Sequence, residues 1–264
     1  MKARAAIRPK KALGQHFLVD PNIIKKILAV AAVQKDQTVL EIGPGQGALT
    51  RALCEAARQV IAVEIDQTFT PILEALQQQY PHLEVKWEDA LTVDYQALPP
   101  GTVVVANLPY YLSTPLLCRL LESGLRLARM VLTLQVEVAQ RLVAGPGNRD
   151  YGSLSVIVQS CAAVERAFSI APSCFFPRPA VESAVVVISP NPSSMKPQRR
   201  QALVHTVKTA FAHRRKTLLN SFREEGWPVE KVVEALQTAR IDPMRRAETL
   251  SIQEFLALAD ALFP

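Results

Sequence analysis

The chain has 264 residues, of which 49% are hydrophobic, so it can form one large domain or an ordinary domain plus a smaller one. Thirty Lys and Arg against 24 Asp and Glu give a formal charge of +6, compatible with a polyanionic partner. No apolar run is long enough to cross a membrane, and no apolar signal core follows the basic start, so we expect a cytoplasmic protein with no membrane partner. The four cysteines stand far apart without metal-ligand spacing, which predicts reduced thiols and no metal site.

The amino-terminal segment combines a basic arm with a helix start. An arm with this charge can lie along a phosphate backbone, or it is simply solvated. Its basic residues are Lys2, Arg4, Arg8, Lys10 and Lys11. Asp20 followed by Pro21 is typical of an N-cap with proline at the first helical position, so a helix is expected to begin here.

Short apolar strands alternate with helical patterns between residues 38 and 144. The strands are predicted at residues 38–42, 59–64, 83–88, 103–106 and 130–135, and the helices at residues 49–57, 68–79, 114–122 and 136–144. This alternation predicts an α/β fold with a doubly wound, mainly parallel sheet. Another helix is expected at residues 151–159, and further strands at residues 164–170 and 183–189 extend the sheet, the last one antiparallel.

A polar, proline-broken stretch at residues 189–194 predicts a linker, after which strand signals disappear. Helical spacing recurs over residues 203–222, 229–239 and 252–262. We therefore expect a sheet domain over residues 1–189 and a small all-helical domain over residues 190–264. Residues 196–223 contain eight Lys and Arg and no Asp or Glu, more uncompensated positive charge than a solvated face usually carries, which favours a polyanionic partner over a merely solvated face. The RNA-binding candidates are Arg199, Arg200, Arg214, Arg215 and Lys216.

A glycine loop at Gly43, Gly45 and Gly47 follows the first long strand and opens a helix. Glycines let a nucleotide-like ligand approach the backbone, and the helix start supplies free amide donors. Glu64, at the end of the next strand, is placed to accept from vicinal ribose hydroxyls. The loop also satisfies a dinucleotide fingerprint, so by itself it leaves the adenosine ligand open.

Two features favour S-adenosylmethionine over a nicotinamide cofactor. Glu41, directly before the loop, would repel a pyrophosphate, and the compact glycine spacing suits a ligand without one. Asp89, after the third long strand, can accept from the exocyclic amine of a cofactor adenine. A simple helix N-cap is the alternative role for Asp89.

Asn107-Leu108-Pro109-Tyr110 follows the buried strand at residues 103–106 and is expected at its carboxyl end, where α/β sheets bind ligands. The Asn107 side chain and the Leu108 carbonyl offer two acceptors, and Tyr110 offers an aromatic face. Together they suit a planar base that carries an exocyclic amine. The alternative is a turn with a capping Asn and a buried Tyr.

The joint order of the motifs is more specific than any one of them. The motifs are Gly14-Gln15-His16-Phe17-Leu18, Glu41-Ile42-Gly43-Pro44-Gly45, Glu64-Ile65-Asp66, Asp89-Ala90, Asn107-Leu108-Pro109-Tyr110, Tyr151-Gly152-x-Leu154-Ser155, Phe175-x-Pro177-x-Pro179-x-Val181-x-Ser183-Ala184-Val185, Phe211, Arg214-Arg215-Lys216-Thr217-Leu218-x-Asn220-Ser221, Arg240-Ile241-Asp242-Pro243 and Arg245-Arg246-Ala247-Glu248. In this order the chain resembles, nearly end to end, the KsgA family of small-subunit ribosomal RNA adenine dimethyltransferases.

The resemblance implies a Rossmann-like class I methyltransferase that dimethylates the exocyclic amines of two adjacent adenosines near the 3′ end of 16S rRNA in the small ribosomal subunit or its precursor. It implies S-adenosyl-L-methionine as methyl donor, held by His16, Leu18, Gly43, Gly45, Glu64, Asp89 and Asn107. Asn107 and Leu108 would hold the target amine, while Tyr110 and Phe175 would stack on the base. Tyr111 and Arg178 depart from the family pattern at the rim of the base pocket. We expect a monomer.

Three other functions remain open from the sequence. An erythromycin-resistance type of large-subunit rRNA adenine methyltransferase shares the catalytic half, but the carboxyl-terminal motifs favour the small-subunit enzyme. A non-catalytic ribosome-assembly or transcription factor could keep the same fold, although the intact tetrapeptide at Asn107 and the cofactor loop argue against it. A nicotinamide oxidoreductase would not explain that tetrapeptide.

Overall fold

The structure is a computed structural model that describes residue 10 and residues 14–122, 126–191 and 195–264. The chain forms two compact units. The first unit consists of Met1–Ala139 and Glu165–Pro190, and the second consists of Gln140–Val164 and Asn191–Pro264. None of the described helices has both the length and the apolar composition to span a bilayer.

The sheet of the first unit follows from the predicted alternation of strands and helices. The described strands are β1 (Phe17–Leu18), β2 (Thr38–Ile42), β3 (Gln59–Val63), β4 (Leu83–Lys86), β5 (Val103–Asn107), β6 (Arg129–Gln135), β7 (Ala162–Ile170), β8 (Phe175–Phe176) and β9 (Ser183–Pro190). The helices between them are α1 (Pro21–Ala31), α2 (Ala48–Ala56), α3 (Thr70–Gln79), α4 (Ser113–Glu122), α5 (Val136–Val143) and α6 (Ser153–Gln159). Most boundaries lie within two residues of the predicted ones, so the predicted α/β fold class is confirmed.

Seven strands form one sheet in the order β4-β3-β2-β5-β6-β9-β7. β2 pairs in parallel with β3 and β5, β5 pairs in parallel with β6, and β9 runs antiparallel to β6 as predicted. The central strand β2 is buried along its whole length, as expected for a parallel strand covered on both faces. The chain order of the strands reverses between β2 and β5, and such a switch point opens a ligand crevice at the carboxyl ends of the strands.

A two-stranded ribbon, which sequence periodicity did not predict, forms part of the wall of this crevice. β1 and β8 pair antiparallel, with Phe17 opposite Phe176 and Leu18 opposite Phe175. Two residues are too few to show an alternating pattern, so no strand was predicted at either place. The start of α1 follows the prediction, since Asp20 Oδ1 accepts the Asn22 N–H at 2.8 Å and Pro21 is the first helical residue.

The second unit is helical. Beside α6 it contains α7 (Pro197–Phe211), α8 (Leu218–Glu224), α9 (Val229–Thr238) and α10 (Ile252–Leu262). The apolar spacing over residues 203–222 therefore belongs to two helices. The core of the second unit is one apolar cluster that includes Tyr151, Val156, Phe222 and Phe255.

The unit boundary differs from the expected division at residues 189 and 190. Residues 140–164 belong to the helical unit because Tyr151 and Val156 pack in its core and the Tyr151 hydroxyl donates to the Leu250 carbonyl at 2.9 Å. The predicted linker also begins later than expected, since β9 extends to Pro190. Residues 192–194 of that linker lie outside the described residues.

Gly47, the residue before α2, has a φ of +75°, and a Cβ there would lie 2.4 Å from Leu76 Cδ1. Gly101 has a similar φ of +82° but open space around it. Gly47→Ala should therefore lose more stability than Gly101→Ala, by roughly 1 to 3 kcal/mol, because it adds overpacking to the shared backbone strain. Urea unfolding measures both losses. Equal losses would mean that the approach of Leu76 does not constrain this turn.

Candidate functional site

A cavity opens at the carboxyl ends of β2, β3 and β5, with about 910 Å³ of space that includes open solvent. Nine of the ten predicted catalytic and cofactor-binding residues line it. They are His16, Gly43, Gly45, Glu64, Asp89, Asn107, Leu108, Tyr110 and Phe175. The tenth, Leu18, is buried and lines a smaller neighbouring cavity that Gly43 and Asn107 also line. The structure thus brings the predicted residues from six separated segments to one place.

The glycine loop approaches the cavity with its backbone. Gly43 N–H donates to the Val63 carbonyl at 2.9 Å, and Gly45 N–H donates to Glu64 Oε2 at 3.0 Å. Gly45 has a φ of +50°, and a Cβ there would lie 2.8 Å from the Phe17 ring. A side chain at this position would therefore clash with the β1 segment, which explains why the loop requires glycine here.

Glu64 connects the glycine loop to the end of β3. Its side chain is 6% exposed; Oε2 accepts from Gly45, and Oε1 accepts the Asp66 N–H at 2.8 Å. Burial raises the pKa of Glu64, whereas these backbone donors act to lower it. Each oxygen keeps a further lone pair, so the carboxyl can still accept from hydroxyl groups of a ligand in the cavity.

The charge state of the Glu41 carboxyl differs from the one that the sequence prediction assumed. It is the fourth of the five residues of the buried strand β2 and is 1% exposed; burial raises its pKa to about 8, with a smaller contribution from Glu64. The carboxyl is therefore mostly neutral at neutral pH, so the expected repulsion of a pyrophosphate has little physical basis. The compact loop and Asp89 remain the features that distinguish the ligand.

The Asn107 side chain is fixed by the amino-terminal segment. Its Nδ2 donates to the His16 carbonyl at 2.8 Å. A carbonyl only accepts, so the amide nitrogen must face His16. The Asn107 Oδ1 atom is thereby left as an acceptor for a donor in the cavity, which is the property that the sequence analysis required of this residue.

Two aromatic rings belong to the cavity wall. Tyr110 is partly exposed, and its hydroxyl lies 2.9 Å from Ser183 Oγ. Phe175 lies in β8, is only 4% exposed and packs in the core of the first unit. The His16 ring is 5.5 Å from the Tyr110 ring, and His16 Nδ1 donates to the Pro177 carbonyl at 2.7 Å.

Asp89 combines the two roles that the sequence left open. Its Oδ1 accepts the Leu91 N–H at 2.8 Å, which caps a turn, while the residue also lines the cavity. Tyr111, one of the two departures from the family pattern, is 58% exposed at the cavity mouth, beside Gly14. Arg178, the other departure, is exposed.

The second unit carries most of the net positive charge of the chain, since it has 14 Lys and Arg against nine Asp and Glu, a net +5 of the total +6. Part of the positive charge of residues 196–223 is neutralised, because acidic residues from α8 and α10 pair with it. The sequence of the segment alone did not indicate this pairing. Arg199 pairs with Asp260 at 2.7 Å, and Lys216 pairs with Glu224. Arg214 donates to the Arg149 carbonyl, Arg215 is exposed, and Arg200 is partly buried.

The basic arm at the start of the chain is described only at Lys10, whose side chain pairs with Asp66 at 2.7 Å. The other basic residues of the arm lie outside the described residues. Sequence reasoning gave no role to Asp66 or to Gln15, which donates to it. Both belong to motifs that carry the family resemblance, so the sequence marked their positions without indicating their function.

Residues 7–263 match the family described as Ribosomal RNA adenine dimethylase. The chain belongs to this family. It is 43% identical to Ribosomal RNA small subunit methyltransferase A of Ligilactobacillus salivarius over 96% of this chain and 90% of the relative. It is 44% identical to the protein of that name from Phenylobacterium zucineum over 96% and 87%.

Two solved structures extend the comparison. A dimethyladenosine transferase from Plasmodium falciparum has a TM-score of 0.81 at 28% identity and covers 92% of this chain and 95% of its own. The 23S rRNA methyltransferase ErmE has a TM-score of 0.72 at 25% identity and covers 94% and 100%. The ribosomal RNA adenine dimethylase family uses S-adenosylmethionine, so the predicted enzyme class, cofactor and class I methyltransferase fold are confirmed.

The raised pKa of Glu41 predicts a pH-dependent stability. A carboxyl with a folded pKa near 8, above its ordinary 4.5, stabilises the fold fully below about pH 4.5, and this stabilisation is lost as pH rises through 8. Glu41→Gln removes this titration. Between about pH 5 and about pH 9 the wild type should lose a few kcal/mol more than the variant, since one pKa unit corresponds to about 1.4 kcal/mol. Urea unfolding at both pH values tests this; parallel losses would contradict it.

Proposed function

We propose that this protein dimethylates the exocyclic amines of two adjacent adenosines near the 3′ end of 16S rRNA in the small ribosomal subunit or its precursor, and so contributes to subunit biogenesis. The observation that carries the proposal is the orientation of Asn107. Its amide nitrogen is occupied by the His16 carbonyl, so its oxygen is the atom available to a ligand amine. Leu108 and Tyr110 line the same cavity and complete a site for a planar amino base.

When bound, S-adenosylmethionine would supply an activated methyl group on its sulfonium; the electron pair of the broken carbon–sulfur bond would stay with the sulfur, in the thioether product S-adenosylhomocysteine. His16, Leu18, Gly43, Gly45, Glu64, Asp89 and Asn107 are the residues proposed to hold it. The donor set fits such a ligand: Glu64 and Asp89 can accept from hydroxyl and amine groups, while the glycine loop exposes backbone beside them. These roles are part of the proposal.

Positioning is proposed to do most of the catalytic work. The lone pair of an adenine amine is delocalised into the ring, so the amine is a poor nucleophile. Acceptance of its hydrogens by Asn107 Oδ1 and the Leu108 carbonyl favours pyramidalisation and directs the lone pair to the methyl carbon. A near-attack arrangement of this kind is worth roughly 7 to 11 kcal/mol. The proton leaves to water after the new N–C bond forms.

Tyr110 and Phe175 are proposed to hold the target base between them. Stacking on an aromatic side chain contributes about 1 to 3 kcal/mol per base. The buried position of Phe175 supports a fixed wall, because a ring held by core packing loses little freedom when a base arrives. Tyr110 keeps its ring at the cavity while its hydroxyl contacts Ser183.

The helical unit is proposed to bind the RNA backbone through Arg199, Arg200, Arg214, Arg215 and Lys216. Its excess of 14 basic over nine acidic residues supports this role, since phosphate contacts dominate nucleic-acid affinity. Residues 190–264 remain our proposed RNA-binding domain, joined in the structure by residues 140–164. We also propose a monomeric state, since one chain supplies every proposed site residue. A cytoplasmic location belongs to the same proposal.

The small ribosomal subunit is favoured over the large one by the relatives. Proteins at 43% and 44% identity are named small-subunit methyltransferases, whereas the 23S rRNA enzyme ErmE is 25% identical. A non-catalytic assembly factor is disfavoured because Asn107 and Tyr110 both line the cavity.

The substrate is tested with methyl-labelled S-adenosylmethionine, immature small subunits and protein-free large-subunit RNA. We expect label in two adjacent adenosines near the 3′ end of 16S rRNA, mapped by nuclease digestion and mass spectrometry, with two methyl groups on each. Label only in the large-subunit RNA would overturn the choice of substrate. The absence of label in both RNAs would overturn the enzymatic proposal.

Asn107→Ala should lower kcat at least about 100-fold, the loss typical of removing one preorganised polar group from an active site. The thermal midpoint should stay near that of the wild type, and cofactor affinity should fall less than tenfold. Steady-state methyl transfer and calorimetric titration provide the measurements. Asn148→Ala, which removes an Asn that accepts a turn N–H in the second unit, is the matched control. Turnover near the wild-type rate by the Asn107 variant would exclude the mechanism.

Arg215→Gln should weaken RNA binding and reduce the slope of log K against log salt by about 0.7, the value for one lost contact with single-stranded phosphate. Arg199→Gln is the matched control with the same loss of formal charge. Because Arg199 already pairs with Asp260, its loss should change the slope less. Fluorescence anisotropy over a salt series gives both slopes. Unchanged slopes for both variants would mean that this segment is only a solvated face.

A further inference from the structure

Asp66 is a buried carboxylate, 3% exposed, that lies two residues beyond Glu64 and outside the residues proposed to touch substrate or cofactor. One oxygen, Oδ1, accepts from Thr68 N at 3.1 Å, Thr68 Oγ1 at 2.7 Å and Lys10 Nζ at 2.7 Å. The other oxygen, Oδ2, accepts from Gln15 Nε2 at 2.9 Å. The Thr68 bonds cap the turn after β3, but the bonds from Lys10 and Gln15 come from a distant part of the sequence.

These distant donors belong to the segment that forms one wall of the cavity. Gln15 and His16 both line it, and the His16 carbonyl is the group that fixes the Asn107 amide. A continuous series of contacts therefore runs from Asp66 through Gln15 and the adjoining backbone of His16 to Asn107. Helix capping alone does not explain this arrangement, because Asn or Ser would cap the turn equally well.

We propose that Asp66 is a positioning residue for methyl transfer, which holds Gln15 and His16 against the cavity so that Asn107 keeps its oxygen directed at the target amine. This inference deepens the proposed function and rests on it for the catalytic role of Asn107. Asp66 itself touches neither substrate nor cofactor. It acts through the amino-terminal segment.

The ionised state of Asp66 suits a lasting attachment of the amino-terminal segment to this residue. Burial acts to raise its pKa, but the hydrogen bonds from Lys10, Thr68 and Gln15 outweigh burial and hold the pKa at about 2. The carboxylate is therefore ionised throughout the physiological range. Lys10 contributes a second tie, because its backbone N–H donates to Gln15 Oε1 at 2.8 Å.

Asp66→Asn isolates the Gln15 bond. The Asn oxygen can still accept from Thr68 and Lys10, but its Nδ2 would face Gln15 Nε2, and two donors cannot bond. Gln15 cannot restore the contact by rotating its amide, because its Oε1 already accepts from the Lys10 backbone. Gln15→Glu breaks the contact differently, by placing two carboxylates together. The double variant D66N/Q15E restores it with reversed polarity, since Asn Nδ2 donates to a Glu oxygen.

The test compares these three variants with the wild type in kcat, cofactor affinity and hydrogen exchange of residues 14–18. Each single variant should lower kcat roughly tenfold, the effect of losing one hydrogen bond to a charged group, and speed exchange in this segment. The double variant should recover most of both. Thr68→Ala, which removes a bond to Asp66 only on the helix side, is the control and should keep kcat within about twofold of the wild type.

Wild-type kcat and hydrogen exchange in D66N would overturn the proposal, and so would a double variant no better than the worse single variant. A loss of kcat equal in D66N and T68A, without faster exchange at residues 14–18, would reduce Asp66 to a helix cap and also overturn it. Hydrogen exchange and cofactor titration need no RNA. They therefore test the positioning role even if the proposed RNA substrate is wrong.

Discussion

The hydrogen bond from Asn107 Nδ2 to the His16 carbonyl joins two parts of the chain that are 91 residues apart. It attaches the amino-terminal segment to the end of β5, at the switch point of the sheet. The same segment is also held by the β1–β8 strand pairing and by the hydrogen bond from His16 Nδ1 to the Pro177 carbonyl. The tetrapeptide at Asn107 and the glycine loop thus line one cavity, and the His16 carbonyl determines which atom of Asn107 faces a ligand there.

Two buried carboxyl groups in this unit are driven to opposite protonation states by the number of hydrogen-bond donors around them. Glu41 has an oxygen without a partner among the described residues, and burial raises its pKa to about 8. Asp66 is almost as buried, but the donors around it hold its pKa at about 2. A neutral Glu41 can sit in the middle of the sheet, whereas an ionised Asp66 can hold a cationic segment.

Much of the fold could be predicted because buried parallel strands form short apolar runs, and glycine, proline and Asp caps mark their ends. Gly43, Glu64 and Asn107 were found because they stand at the ends of those strands. His16 and Leu18 were implied only by the family resemblance, because they belong to a segment without a periodic pattern. The β1–β8 ribbon was missed because two residues show no period. The pairing of Arg199 with Asp260 was missed because the partners are 61 residues apart, and residues 140–164 joined the helical unit through core contacts of Tyr151 that no local pattern reveals.

The central claim is that Asn107 accepts a hydrogen bond from the target amine while the amino-terminal segment holds its amide nitrogen. A crystal structure with a bisubstrate analogue, in which adenosine is joined through its exocyclic nitrogen to the cofactor, tests this most directly. We expect this nitrogen to lie within about 3.2 Å of Asn107 Oδ1, while Asn107 Nδ2 still donates to the His16 carbonyl. An analogue whose adenine nitrogen faces Asn107 Nδ2, or lies away from Asn107 altogether, would contradict it.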